Sequence, residues 1–260
     1  MEKAILADRY IVQERFPQWG GRQGQSRLSA STAVVAGLGA LGGTCANLLA
    51  RAGVGKLRLI DMDHPSIENL HRQVLYTESD AVDGVTKAEA AAGYLKSVNS
   101  DVCLDPVVAK LDAGNASTLL QGADVVLDCL DNMGSRYILN EVCHKLKIPW
   151  VHAGIVGSRG QLMVIRPGHG PCLRCWCVPG LSERPEVNVS VLGVIGPTPL
   201  CVASLQADEA LKLLLGVEKS LLGGLLKIEL WPPSFKILQP DHLKNPHCPV
   251  CNGRYEYISL

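Results

Sequence analysis

The chain has no surplus of charge: across 260 residues, 25 lysines and arginines face 25 aspartates and glutamates. A nucleic-acid-binding protein carries a basic excess or stripe; none is visible, so no nucleic-acid partner is expected. The opening segment MEKAILADRY is charged and lacks an apolar core, and no lipidation motif closes the chain. The expectation is therefore a cytoplasmic protein without a signal peptide or membrane anchor. The seven histidines show no H-x-x-x-H spacing, and no Ser/His/Asp set of a hydrolase is evident. Internal repeats and low-complexity segments are also missing.

Charge is absent locally too. No charged residue stands between Arg27 and Arg51, a stretch long enough for a membrane helix, which needs about 20 apolar residues. Glycines 37, 39, 42 and 43 interrupt it. Residues 33–36 are a short apolar run of strand type, and residues 46–52 carry leucines at helical spacing. Strand, glycine turn and helix is the better parse.

The remaining pattern repeats that alternation. Residues 57–61, 102–108, 123–129 and 149–153 read as strands. Thr86 with Glu89 makes a capping-box start for one helix, and residues 135–147 form another. Alternation of this kind implies βαβ units with helices on both faces of a parallel sheet. Later, residues 156–165 read as a hairpin turning at 157–160, 171–200 as a loop rich in Pro, Gly and Cys, and 198–215 as a long helix. Residues 225–230 and 234–238 then read as strands separated by WPP.

Gly37, Gly39 and Gly42 fit G-x-G-x-x-G between strand and helix. There, helix-terminal N–H groups and the helix dipole favour a phosphate. Asp61 ends the next strand, at the spacing of a ribose-binding carboxylate. The turn alone does not say which nucleotide. Asn69, Arg72 and Gln73 follow in ENLHRQ, and Lys87 opens the next helix. NAD needs only two phosphates neutralised, whereas a triphosphate calls for more positive charge, which Arg72 and Lys87 would supply. The competing reading leaves both as surface residues. Asp128 and Asp131 in DCLDN lie beyond a strand's carboxyl end, where open α/β sheets bind ligands and where a carboxylate suits Mg²⁺. An Asx turn or helix cap before Ser135 is the alternative.

Ten cysteines are many for a reducing compartment. Five are scattered in apolar context, as buried small hydrophobes would be. Cys172 with Cys175, and Cys248 with Cys251, form two C-x-x-C knuckles. Four thiolates from two such turns suit tetrahedral, structural Zn²⁺; a thioredoxin-like redox pair is the alternative. Cys177 is left over.

Taken in order, RY (9–10), GLGALG, LIDMD, ENLHRQ, GVTKAE, DCLDN, GSRGQLMVI, CLRC and CPVC resemble the MoeB/ThiF/HesA-type adenylyltransferases, relatives of the ubiquitin-activating enzymes. The resemblance spans roughly residues 8–252. It implies an α/β fold: a Rossmann-like, mostly parallel sheet flanked by helices, continued by antiparallel strands and carrying a zinc-binding site of four cysteines. The whole chain, 1–260, would be one adenylation domain: an N-terminal helical segment (1–30), a nucleotide-binding half (31–153) and a carrier-binding and zinc half (154–260). The implied reaction uses ATP and Mg²⁺ to adenylate the C-terminal glycine of a small ubiquitin-like sulfur-carrier protein ending in Gly-Gly, within molybdopterin, thiamine or related sulfur-transfer biosynthesis. The glycine turn, Asp61, Asn69, Arg72, Gln73, Lys87 and Asp131 would bind the nucleotide. Arg72, Lys87 and an Asp131-bound Mg²⁺ would also serve catalysis, and the enzyme would be a homodimer.

Two positions depart from the family pattern. Val12 stands where the family has a second arginine after RY, and Val189 aligns with the loop cysteine of thioester-forming members. Cys177 and Cys201, the nearest thiols, are out of register, so the reaction is expected to stop at the acyl adenylate. An NAD(P)-dependent oxidoreductase would share the glycine turn and Asp61 but leave ENLHRQ, Lys87, DCLDN and the knuckles unexplained. A catalytically silent binding module is the other alternative.

Overall fold

The computed structural model describes residues 9–180 and 189–258. Its strands are β1 (Thr32–Ala36), β2 (Lys56–Ile60), β3 (Cys103–Val107), β4 (Val125–Asp128), β5 (Trp150–Val156), β6 (Arg159–Ile165), β7 (Leu225–Leu230) and β8 (Pro233–Leu238). The helices in chain order are α1 (Ile11–Glu14), α2 (Gly21–Ser29), α3 (Ala40–Ala52), α4 (Glu78–Val82), α5 (Lys87–Val98), α6 (Ala116–Leu120), α7 (Met133–Leu146), α8 (Leu173–Trp176), α9 (Val189–Leu192) and α10 (Pro197–Leu215).

All eight strands join one sheet in the order β3-β2-β1-β4-β5-β6-β7-β8. The first five are parallel, and β5 through β8 are antiparallel. The chain leaves β1 toward β2 on one side and returns from β3 to β4 on the other. The carboxyl ends of β1 and β4 therefore flank the switch point where open α/β sheets bind ligands.

Side-chain alternation makes β1 apolar throughout. Ala33 and Val35 pack on the side of α3, α5 and α10, while Val34 and Ala36 pack with Tyr137, Leu139 and Val142 of α7. Two cores on two faces explain a continuous apolar strand. The uncharged stretch is thus β1, the glycine turn and α3. No described helix is long and apolar enough to cross a membrane.

The N-terminal RY pair anchors the first segment. Arg9 donates to the Val98 carbonyl at 3.0 Å, and the Tyr10 hydroxyl accepts from Asn99 Nδ2 at 2.7 Å. Gly53, at the left-handed end of α3, makes room for that ring: a Cβ there would fall 2.5 Å from Tyr10.

The capping box of α5 is present in both halves, Glu89 N to Thr86 Oγ1 and Thr86 N to Glu89. Three expectations change. The hairpin is tighter than the 157–160 turn, because Val156 pairs with Arg159 and only Gly157 and Ser158 connect the strands. The ladder with β6 also extends β5 past residue 153 to Val156. The expected loop over 171–200 carries the short helices α8 and α9; its residues 181–188 lie outside the described residues, as does the charged opening segment 1–8.

Candidate functional site

At the end of β1, Gly37 takes φ +90°, and a Cβ there would lie 2.6 Å from the Cys129 carbonyl oxygen. Gly42 admits no side chain either, since its Cβ would sit 1.8 Å from the Gly37 oxygen. These two glycines fold the turn onto itself and onto the end of β4. Gly39 differs: its Cβ would meet only Gln73 Nε2, at 3.7 Å. Its missing side chain leaves room at the N-terminus of α3, where first-turn N–H groups have no helical partner.

Asp61 braces this turn. Its Oδ2 accepts from Leu38 N at 2.7 Å, and its Oδ1 from Asp63 N at 2.8 Å. Burial raises the carboxyl, against the pull of those two N–H groups and the Lys87 charge. Each oxygen still has a lone pair for a hydroxyl donor.

Lys87 is not the surface residue that lysines usually are. Its side chain is 8% exposed, and Nζ lies 3.2 Å from Asp63 Oδ2. Lysine is almost never this buried without a partner. Its backbone N–H also donates to the Asp63 carbonyl at 2.8 Å, tying the start of α5 to the loop after β2.

The ENLHRQ turn assigns its residues different tasks. Asn69 Oδ1 accepts from Arg72, while Asn69 Nδ2 donates to Ser66 Oγ at 2.5 Å. Asn69 thus orients the guanidinium. Gln73 is buried beside Gly39, and its Oε1 has no partner among the described residues. A buried carbonyl oxygen left unpaired costs about 1–3 kcal/mol. The amide nitrogen Nε2 is the Gln73 atom that faces the space over Gly39, where it can donate to a ligand oxygen.

The two aspartates of DCLDN separate. Asp128 is fully buried and does not face a ligand, which corrects the sequence reading. Its carboxylate meets Arg136 Nε at 3.4 Å and His152 Nδ1 at 2.7 Å. Burial alone would raise this carboxyl; Arg136 and His152 outweigh it and hold it below the usual range. Asp131 is exposed and meets the Asn132 amide at 3.3 Å. Asn132 caps α7, accepting from Ser135 N at 2.9 Å, so the cap does not consume Asp131.

The histidines looked uninformative, yet His152 sits at the centre of a buried polar cluster with Arg136 and Gln161. One signal was available: the Asp128 carboxylate at the end of the apolar run VVL requires a buried partner.

The four knuckle cysteines come together. Their Sγ atoms all lie within 4.8 Å of one another, with Cys172–Cys248 at 3.5 Å, Cys175–Cys251 at 3.5 Å and Cys172–Cys175 at 4.0 Å. Tetrahedral zinc with bonds of about 2.3 Å sets its sulfurs about 3.8 Å apart, so the quartet fits the ion. Asn140 supports it, with Nδ2 3.8 Å from Cys172 Sγ and Oδ1 accepting from Leu173 N at 3.1 Å. Of the out-of-register thiols, Cys177 is buried and Cys201 is half-buried on α10. Val12 is 76% exposed on α1, and Val189 opens α9.

Residues 10–250 match the ThiF family. Curated relatives include the SAMP-activating enzyme E1 of Haloferax volcanii, 39% identical over 94% of this chain and 87% of the relative. The sulfur carrier protein adenylyltransferase of Thermus thermophilus is 38% identical over 94% and 90%. The sulfur carrier protein ThiS adenylyltransferase of Bacillus subtilis is 37% identical over 96% and 73%. Among solved structures, Escherichia coli MccB with ATP superposes with a TM-score of 0.73 at 24% identity, over 87% of this chain and 68% of that one, a likeness of fold.

Proposed function

We propose, from the premise that this chain belongs to the ThiF family, that it is an adenylyltransferase that uses ATP to activate the C-terminal carboxylate of a small sulfur-carrier protein. The names of its relatives support that substrate class. The observation that carries the reading is Lys87, a cation buried beside Asp61 and Asp63 where Asp61 braces the glycine turn.

A terminal carboxylate has a pKa of about 3.5 and is already ionised at neutral pH. No general base is needed, which fits a site without a base–nucleophile pair. A carboxylate oxygen bonds the α-phosphorus as the bond to pyrophosphate breaks, and the electron pair leaves with pyrophosphate. The protein's task is to bring two anions together and neutralise the charge that moves. The N-terminus of α3, Gln73 and Gly39 would receive phosphate oxygens, Asp61 the ribose, and Arg72 and Lys87 the triphosphate charge. Asp131 would hold Mg²⁺, which supplies further charge neutralisation on the phosphates when bound. The Cys172, Cys175, Cys248 and Cys251 quartet would hold structural Zn²⁺.

The family resemblance supports a homodimer in the cytoplasm. The carrier would end in Gly-Gly and dock on the half that follows β5. The test is ATP–pyrophosphate exchange with purified carrier. Exchange that requires both carrier and Mg²⁺ is expected; tight NAD(P) binding by calorimetry without exchange would overturn the reading in favour of an oxidoreductase.

A further inference from the structure

Four adjacent strands carry one polar row on the same face of the sheet. Asp128 of β4 pairs with His152 of β5, Gln161 of β6 pairs with Gly154 of β5, and Lys227 of β7 pairs with Gln161. Their side chains bond in sequence. Lys227 Nζ donates to Gln161 Oε1, Gln161 Nε2 lies 3.0 Å from His152 Nε2, and His152 Nδ1 lies 2.7 Å from Asp128 Oδ2.

The direction of every bond follows from the two ends. A lysine ammonium only donates, so it fixes the Gln161 carbonyl outward and turns the amide nitrogen toward His152. His152 Nε2 must then accept, and its proton resides on Nδ1, donated to the carboxylate. The row is a directed chain from an exposed cation to a fully buried anion. Protonating His152 would put two donors face to face at Gln161. The charged groups around the ring are Asp128 of β4, Arg136 of α7 and Lys227 of β7, with Trp150 and Trp176 as its aromatic neighbours.

The inner end of the chain grips the residue before Asp131. Asp128 Oδ1 accepts from Leu130 N at 3.1 Å, and Arg136, beside Asp128, donates to the Leu130 carbonyl and to the Ala153 carbonyl at 2.9 Å. Both backbone groups of Leu130 are held by the ion pair that His152 completes.

We propose that His152, fixed in its Nδ1–H tautomer by Gln161 and Lys227, is a positioning residue that acts through Asp128 and Leu130 to set the Asp131 carboxylate for its cation. This rests on the reading that Asp131 holds Mg²⁺ beside ATP. Outer partners of metal ligands typically change metal affinity by about 10–100-fold when removed; Asp128 and Arg136 would act one step further out, through the Leu130 backbone that precedes Asp131.

Two measurements test it. Nitrogen-15 NMR of the histidine rings in the wild-type protein should show His152 neutral with its proton on Nδ1 at pH 7; an Nε2–H tautomer or an imidazolium would overturn the chain. The second measurement is Mn²⁺ binding, followed by electron paramagnetic resonance with a non-hydrolysable ATP analogue present. His152→Ala should weaken Mn²⁺ by about tenfold or more, with the analogue's metal-free affinity unchanged. His152→Asn, whose amide can donate from the Nδ1 position, should restore the wild-type value. Wild-type Mn²⁺ affinity in His152→Ala, or no recovery in a folded His152→Asn, would overturn the role. Failure of the wild-type protein to bind the analogue would instead remove the ATP reading, and the positioning role with it.

Discussion

Lys87 shows how far single residues could be read. The motif GVTKAE placed it at the start of a helix, and a charge for a triphosphate was the sharper of two readings. The structure removes the bland one by burying the side chain against Asp63. Lys87→Ala should slow adenylation roughly ten- to a thousandfold if the charge acts on phosphate in the transition state. Asp131→Ala should abolish adenylation and leave the melting temperature unchanged, because an exposed carboxylate carries no core packing. Exchange kinetics with calorimetric melting curves check both, and wild-type rates in Asp131→Ala would show that the metal site lies elsewhere. Asn69 and His152 were less legible. Whether Asn69 faces a ligand or a neighbouring arginine depends on the turn it occupies. His152 gains meaning only from strands 9 and 24 residues away in sequence, which a local pattern does not bring together.

Elements with strong local signals were readable. Thr86 and Glu89 start α5 where the capping box predicts, and the apolar run of β1 lies in the sheet centre. Boundaries moved where pairing decides them, as at Val156, which the ladder with Arg159 keeps extended. The zinc knuckles are built on elements that cannot stand alone: α8 is one turn, and Cys248 precedes, while Cys251 lies within, the three-residue turn Val250–Asn252. Isolated helices this short are unstable in water, so the ion is expected to hold them. The untagged protein should contain one zinc per chain by elemental analysis, and Cys172→Ser should lose the metal and melt lower, since metal binding is part of folding here. A metal-free protein with an unchanged melting curve would contradict this.

At the scale of the whole molecule, βαβ alternation made the parallel half legible, but the strand order β3-β2-β1-β4 depends on non-local pairing. The residue pattern gives the antiparallel half only as strands; its continuation of the parallel sheet was implied by the family resemblance, and the eight-stranded order bears that out. That continuity lays the Asp128–Lys227 row from β4, whose end meets the glycine turn, across to β7. The outer end leaves Trp231 72% and Phe235 57% exposed, surface that a partner would cover. Light scattering at micromolar concentration should report a dimer; the mass of one chain would remove that assignment.

The central claim is that the reaction ends at an acyl adenylate. Val189 offers no thiol at the start of α9, and Cys172 and Cys175 would be held by zinc. The most direct measurement mixes enzyme, ATP, Mg²⁺ and a carrier ending in Gly-Gly, quenches without reductant and records intact masses. The prediction is a carrier bearing AMP at its C-terminal carboxylate and an enzyme of unchanged mass. An enzyme–carrier adduct that dithiothreitol reverses, and that disappears in Cys177→Ala or Cys201→Ala, would contradict it, as would a carrier that never gains AMP.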